Sequence, residues 1–314
     1  MPLTQLSFQP GLDTENTETG AEGRWIDGDK IRFRKGLPQK IGGWNKFSTS
    51  YYVGVGRALE QWFSLNGARY EALGTDRKVY AYASGDNQDI TPIRETATLV
   101  NAFTTTNTSA NITISDTSHG AIVGDFVTLT SSSGTVGGIP ATTLDAEYEI
   151  LSITNVDAYI ISSNATATST IGPTANCTAT YQLNIGPSEQ TFGYGWGSGT
   201  WSTSTWGTAR ATSNVTLDAR LWTINNWGED LVITQKDGAT YEWDTSGGMS
   251  GNRATVIANA PTTSTLSMIS TETRHVVCLG TETSIGNTST QDKMFIRWSD
   301  QEEYNYWTPN VTNS

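Results

Sequence analysis

Short alternations of apolar and polar residues, bounded by turn residues, recur along most of the chain. In residues 30–34 the apolar Ile31 and Phe33 alternate with Lys30, Arg32 and Arg34, which is the two-residue period of a β-strand. No window shows the 3.6-residue apolar spacing of an amphipathic helix. The pattern therefore predicts an all-β protein.

Three segments repeat one pattern, at residues 54–94, 217–244 and 274–298. Each contains an apolar strand, a turn, a second strand and a further strand that carries an aromatic residue; Trp62 aligns with Trp222 in this comparison. Repeats of about 40–50 residues that each form a small antiparallel meander are typical of β-propeller blades. A β-sandwich built from similar hairpins is the alternative.

Breaks in this pattern divide the chain into four parts. Residues 1–24 lack periodicity and are expected to form an extended N-terminal arm. Residues 25–98 and 187–314 are predicted to be the two parts of a propeller-like β domain. Residues 99–186 carry few charges and hold alternating strands of their own, so we predict a small β-barrel inserted between blades.

The composition is typical of a β protein, and the net charge argues against one class of partner. Thr makes up about a sixth of the 314 residues, and Gly, Trp and Tyr contribute 31, 11 and 12. The formal net charge of −12 argues against a protein that holds duplex DNA by neutralising phosphates. We expect no transmembrane helix and no secretory signal. Cys177 and Cys278 are predicted to be buried free thiols, with one disulfide between them as the alternative.

The sequence contains no recognisable catalytic motif. His119 and His275 lack metal-ligand spacing, and the sequence contains no GxSxG or GK[ST] motif. Glu302 and Glu303 resemble a pair of glycosidase carboxylates, although a solvated turn is the favoured interpretation. We therefore predict that the protein is not an enzyme and has no catalytic, metal or cofactor-binding residues.

Two groups of residues are candidates for binding. Arg32 and Arg34 share one face of a strand in an acidic chain, and Trp25 and Trp44 flank them, so these four residues are the candidate assembly interface. The second group consists of three tryptophans in a glycine-rich stretch, Trp196, Trp201 and Trp206. They are a candidate platform for stacking on a glycan, and the favoured alternative is a loop held in place by buried tryptophans.

Several motifs resemble those of the tail nozzle, tail tubular or DNA-stabilisation proteins of short-tailed bacteriophages, which are β-propeller tail proteins. They are WIDGDKIRFRKGLPQKIGGW, ALGTDRKVYAY, GYGWGSGTWSTSTWGT, LWTINNWGEDLVITQKDGATYEWD and IRWSDQEEYNYWTP. The stretch HGAIVGDFVTLT is similar to a small β-barrel module found in phage tail proteins. Such relatives are considerably longer, so the chain is either an N-terminal part or a shortened version with an incomplete ring.

The resemblance implies a virion protein of the tail that is assembled in the host cytoplasm. It implies a ring of copies, a hexamer, below the head-tail adaptor or connector proteins and near tail fibre or needle proteins. Double-stranded DNA would pass through the ring without tight binding, and no cofactor or membrane insertion is implied. Two alternatives stay open: a receptor- or carbohydrate-binding tail protein, and a propeller-type glycosidase or depolymerase.

Overall fold

The computed structural model describes residues 8–43, 45, 46, 48, 50–65, 67–184, 186, 219, 221–249 and 251–308. Their regular structure is antiparallel strand, apart from a one-turn helix, α1 (Ala141–Leu144), and 3-10 turns at Thr245–Gly247 and Thr288–Thr290. The all-β prediction is therefore confirmed. The chain divides into two compact units, residues 1–49 and residues 50–314.

The first unit contains one hairpin and a loop that closes on itself. The hairpin pairs β1 (Ile31–Arg34) with β2 (Leu37–Lys40). The N–H of Gln9 donates to the carbonyl of Gly23 at 3.0 Å, and the N–H of Asp13 donates to that of Trp25 at 2.7 Å. Residues 9–25 therefore form a turned-back loop with Ala21 buried inside it, although residues 1–24 were expected to form an extended arm.

In the described part of the second unit, three antiparallel sheets form successive blades. Blade 1 contains β3 (Gly56–Phe63), β4 (Arg69–Thr75), β5 (Val79–Ala83) and β6 (Asp86–Asp89). Blade 2 contains β16 (Trp222–Trp227), β17 (Asp230–Gln235), β18 (Thr240–Trp243) and β19 (Thr255–Val256). Blade 3 contains β20 (Leu266–Ile269), β21 (Val276–Leu279) and β22 (Ile296–Trp298). Strands follow chain order within each sheet, so each blade is a meander.

The blades stack in chain order, and β16 lies beside both β3 and β20, so the first strands of the three sheets are neighbours. We define the leading face of a blade as the one turned toward the next blade, and the trailing face as the opposite one. Trp62 on the leading face of blade 1 packs with Trp222 and Trp243 on the trailing face of blade 2. The leading face of blade 2 contributes Trp227 to a second core with blade 3.

The equivalence of Trp62 and Trp222 that the sequence pattern predicted is wrong. The two side chains lie on opposite faces of their own blades and meet in one core. A shift of one residue in a strand moves its side chains to the other face, and the spacing of tryptophans cannot detect such a shift. The repeat of blades is nevertheless present.

The inserted module lies between blades 1 and 2 along the chain and consists of two open sheets. The first has the order β11–β10–β15–β7, and the second has the order β12–β13–β9–β8–β14. Its strands are β7 (Ile93–Leu99), β8 (Phe103–Thr105), β9 (Asn111–Ser115), β10 (Phe126–Thr130), β11 (Glu147–Glu149), β12 (Ser152–Asn155), β13 (Ala158–Ser162), β14 (Ile171–Thr174) and β15 (Cys177–Gln182).

This architecture corrects the expectation of a small β-barrel. The chain passes from β11 to β12 by switching sheets, and no ladder joins the two sheets into a closed cylinder among the described strands. Alternating apolar residues bury one face in either architecture, so the sequence pattern cannot distinguish them. We call the module the inserted sandwich; its first and last strands, β7 and β15, pair with each other.

The inserted sandwich has its own core, separate from those between blades. Ile112, Ile114, Val127, Leu129 and Tyr159 are fully buried in it. Cys177 lies in this core, whereas Cys278 lies in the core between blades 2 and 3. Both thiols are buried and unpaired, so the prediction of two free cysteines is confirmed.

Candidate assembly surfaces

The β1–β2 hairpin presents two arginines on one exposed face. Arg32 and Arg34 alternate with the half-buried Ile31 and Phe33, as the strand period requires. The turn residues Lys35 and Gly36 both have positive φ, 50° and 80°, which is the conformation of a two-residue type I′ turn. The Nε of Arg32 donates to Oε1 of Gln39 at 3.2 Å across the hairpin. Both guanidinium groups are therefore accessible to a partner.

The tryptophans of the candidate interface occupy a different position. Trp25 is half-buried and its ring centroid lies 5.4 Å from that of Phe8, so it packs within the turned-back loop. Its indole N–H is buried and lacks an acceptor among the described atoms. Trp44 lies outside the described residues.

The candidate glycan-stacking residues Trp196, Trp201 and Trp206 also lie outside the described residues. The carbohydrate hypothesis for them stays a sequence prediction.

Two sheet faces at the ends of the stack of blades expose apolar side chains. On the leading face of blade 3, cross-strand pairing brings together Leu266, Met268, Val277, Leu279, Ile296 and Trp298. Trp298 is 59% exposed, Ile296 51% and Met268 49%. We call this surface the blade-3 outer face.

On the trailing face of blade 1, Leu59 and Phe63 are 71% and 60% exposed, and we call this surface the blade-1 outer face. The guanidinium carbon of Arg69 lies 5.5 Å from the centroid of the Phe63 ring. Leu73, half-buried, pairs with Leu59 on one side and with Tyr80 on the other. Tyr80 is buried, 7% exposed, and its hydroxyl accepts from the N–H of Val53 at 3.0 Å, so the segment at Val53 covers that end of the face. Sequence analysis did not identify either outer face, because exposure depends on whether another blade covers the sheet.

A cluster of charges around the buried Lys78 joins blade 1, the inserted sandwich and blade 2. Lys78, 2% exposed, places its Nζ 2.9 Å from Oδ2 of Asp89 and 2.6 Å from Oε2 of Glu147. Arg253, from blade 2, binds the other oxygen of Asp89 at 2.9 Å. The Lys78 ammonium also lies 4.3 Å from the centroid of the Phe126 ring. We call these four charged residues the junction cluster.

The junction cluster is electrically balanced, with two cations and two carboxylates. Burial raises the pKa of Asp89, but the charges of Lys78 and Arg253 outweigh burial and hold that pKa below its usual value. A second pair, Arg77 with Glu149, links blade 1 to the inserted sandwich nearer the surface. These contacts fix how the inserted sandwich sits on the blades.

The histidines and a buried glutamate serve the local structure. Nδ1 of His119 accepts from the N–H of Ala121 at 3.0 Å, so its Nε2 donates to the carbonyl of Asn155 at 3.2 Å. Nδ1 of His275 donates to the carbonyl of Ser299 at 2.8 Å. The carboxylate of Glu282 accepts from the backbone N–H groups of Thr262 (2.7 Å), Thr263 (3.0 Å) and Gly286 (3.2 Å).

Within the described residues, no group of three or more His, Cys, Asp or Glu side chains is placed to hold a metal ion. A search of the same residues for a helix long and apolar enough to cross a membrane finds none.

Comparison with known proteins does not identify a family for this chain. No protein-family model and no curated protein sequence matches the chain. Among solved structures, the chain is similar to a phage phi92 endosialidase with 12% identity and a TM-score of 0.24. The match covers 87% of this chain and 39% of the endosialidase chain. A TM-score this low supports no argument about fold or activity.

Proposed function

We propose that the chain is a structural subunit of a bacteriophage tail, of the nozzle type, that assembles with copies of itself into a ring below the head-tail adaptor. The ring continues the channel that retains and then releases the genome. One observation carries the proposal: both ends of a propeller-like stack of blades expose an apolar sheet face. Monomeric proteins seldom expose large apolar patches, and such patches mark surfaces that bind other proteins.

Charge supports the role of a conduit. A chain with a formal net charge of −12 has no surplus of cations to neutralise phosphates, so DNA can move past it without being held. The exposed arginines of the β1–β2 hairpin suit carboxylates of an adaptor protein. We therefore assign the hairpin to the contact with the adaptor.

The proposal is tested by mass spectrometry of purified virions from a phage that encodes this chain. The unaltered protein should be present, and Arg32→Glu with Arg34→Glu should reduce its incorporation at least tenfold. The matched control is Lys35→Glu with Lys40→Glu, which makes the same charge change; Lys35 lies in the hairpin turn and Lys40 on the opposite face. The control should be incorporated normally.

Two results would overturn the proposal. One is the absence of the unaltered protein from purified virions. The other is release of reducing sugar from a host glycan by the purified protein, which would establish a glycosidase or depolymerase instead. Equal incorporation of the arginine variant and its control would remove the hairpin from the interface and leave the outer faces as the contact.

A further inference from the structure

Lys78 differs from Lys30 and Lys293, which also pair with carboxylates. Its side chain is 2% exposed, and its Nζ contacts two carboxylates, those of Asp89 at 2.9 Å and Glu147 at 2.6 Å. Lys30 and Lys293 contact one carboxylate each, and their side chains are 79% and 58% exposed. Because burial favours the uncharged form of an amine, a lysine withheld from water beside two carboxylates is placed to act as a nucleophile.

The carboxyl group of Asp89 is held in a geometry that suits attack at its carbon. Its Oδ2 lies 2.9 Å from the Nζ of Lys78, so the nitrogen is beside the Cγ atom. Its Oδ1 accepts from the N–H of Thr91 at 2.9 Å and pairs with the guanidinium of Arg253 at 2.9 Å. Two donors on one oxygen are the arrangement that stabilises the negative charge of a tetrahedral intermediate.

Glu147 supplies the acid–base group that such a reaction requires. Its Oε2 lies within hydrogen-bond reach of the Nζ of Lys78, and a group in that position can carry protons to and from the nitrogen. The side-chain amide of Gln182 donates to both Glu147 and Asp89, so it holds the two carboxylates beside the same nitrogen. The Phe126 ring, with its centroid 4.3 Å from the Nζ, adds an apolar cover.

We propose that Lys78 and Asp89 join in a spontaneous isopeptide bond, with Glu147 as the proton carrier. A carboxylate resists attack, so one proton first passes from the ammonium of Lys78 through Glu147 to Oδ2 of Asp89. The neutral amine then attacks Cγ, and the new C–N bond places the negative charge on Oδ1. The nitrogen gives a second proton to Oδ2 through Glu147, the Cγ–Oδ2 bond breaks, and one water molecule leaves.

The reaction needs no co-reactant and leaves the junction cluster electrically balanced. One ammonium and one carboxylate are consumed, so Arg253 and Glu147 remain as one cation and one carboxylate. Contact between the reacting groups replaces the encounter of two free molecules, which is a large part of the barrier to such a condensation. A chain that has not yet formed the bond keeps the ion pairs described above. The bond closes residues 78–89, which include β5 and the edge strand β6, into a covalent ring.

Mass spectrometry of the purified full-length chain tests the bond. Under denaturing conditions the unaltered protein should be lighter than its sequence by one water molecule. Trypsin should fail to cut after Lys78 and should release residues 78–94 as one peptide that lacks the same water. Fragmentation of that peptide should give no fragments that end between Lys78 and Asp89, because a ring holds these residues together.

Variants of two neighbouring carboxylates test the role of Glu147. Glu147→Gln removes the proton carrier and keeps the size of the side chain, so it should reduce the cross-linked fraction at least about tenfold. The matched control is Glu149→Gln on the same strand, which changes a carboxylate that pairs with Arg77. This control should lose one water molecule as the unaltered protein does. Circular dichroism of both variants establishes that they are folded.

Three results would overturn the inference. The first is a folded, unaltered chain that keeps the full mass of its sequence after several days in solution. The second is a loss of water that maps to another peptide, such as one with a succinimide at Asp27. The third is equal cross-linking of Glu147→Gln and Glu149→Gln. The inference goes beyond the proposed tail role, and these masses do not depend on whether the chain enters virions.

Discussion

The backbone N–H of Leu183 donates to the carbonyl of Pro92 at 2.8 Å, so the chain leaves the inserted sandwich beside the point where it entered. The first residue of β7 pairs with the last residue of β15, Ile93 with Gln182. This places the boundaries of the module at 93 and 182, whereas the sequence pattern placed them at 99 and 186. An insertion with adjacent ends can be removed without stretching the blades.

We predict that the sandwich and the blades fold independently. Replacing residues 93–182 by two glycines between Pro92 and Leu183 should leave a β-rich protein that unfolds cooperatively, because the cores between blades stay intact. Residues 91–184 expressed alone should also fold, since the sandwich has its own core. Circular dichroism and urea unfolding of both fragments provide the measurement. Aggregation of both would reject the division.

Lys78 is predicted to stabilise the fold through the junction cluster. Lys78→Met removes a buried ammonium that faces two carboxylates, and breaking a fully buried ion pair costs about 3–5 kcal/mol of unfolding free energy. We expect a smaller loss here, because Asp89 keeps Arg253 and the Glu147 side chain is 37% exposed, so water can solvate it. Urea unfolding checks the value.

The matched control for Lys78 is Lys30→Met, which removes an exposed ion pair with Asp29 and should leave the unfolding free energy unchanged. The double variant Lys78→Met with Glu147→Gln should recover part of the loss, because it removes the stranded carboxylate as well. Equal effects of Lys78→Met and Lys30→Met would show that the junction cluster contributes nothing.

Glu282 is predicted to make the fold sensitive to acid. Burial raises the pKa of Glu282, but the backbone N–H groups that it accepts from outweigh burial and keep that pKa below its usual value. A group with a lowered pKa in the folded state stabilises the fold fully above its unfolded pKa, about 4.3. That stability is lost as the pH falls through the lower folded pKa.

The unfolding free energy should therefore decline below about pH 4, a limit set by the unfolded pKa of Glu. Glu282→Gln should be less stable at pH 7 and should show a shallower decline in acid. Glu272→Gln changes an exposed carboxylate and should follow the unaltered protein. Chemical unfolding at a series of pH values provides the test, and an unchanged slope for Glu282→Gln would contradict the assignment.

Trp243 and Trp298 should respond oppositely to truncation. Trp243 is fully buried, donates its indole N–H to the carbonyl of Asn252 at 3.1 Å, and meets the Trp62 ring edge-on at 6.3 Å. Trp243→Ala should cost about 3–5 kcal/mol. Trp298→Ala removes an exposed ring and should leave the stability of the single chain nearly unchanged. Thermal unfolding of dilute samples separates the two, and similar losses would contradict the assigned burial.

The sequence was sufficient for the class of fold, because strands and turns are local features. Alternation in residues 30–34 gave a real strand, and the low charge after Leu99 revealed an inserted module. Whether the module closes into a barrel depends on ladders between distant strands, and no local pattern specifies them. Contacts between distant strands also decide where Trp62 and Trp222 lie. The sequence pattern predicted equivalent positions for them, but the two rings meet in the core between blades 1 and 2.

The candidate surfaces were only partly visible in the sequence. The exposed face shared by Arg32 and Arg34 follows directly from the strand period. The blade-3 outer face does not, because Trp298 and the buried Trp243 occur in similar aromatic-containing strands, and only the presence of a neighbouring blade separates them. The junction cluster brings Lys78 beside residues far along the chain, Glu147 and Arg253, by tertiary packing alone.

The adjacent ends of the inserted sandwich have a mechanical consequence. A force that pulls the two ends of the chain apart loads the ladder between β7 and β15 one hydrogen bond at a time, starting at Ile93 and Gln182. The sandwich should therefore open first and release its 93–182 segment, a length gain of about 300 Å at full extension. In single-molecule pulling it would act as an extensible link between blades 1 and 2 that lengthens before either blade is torn.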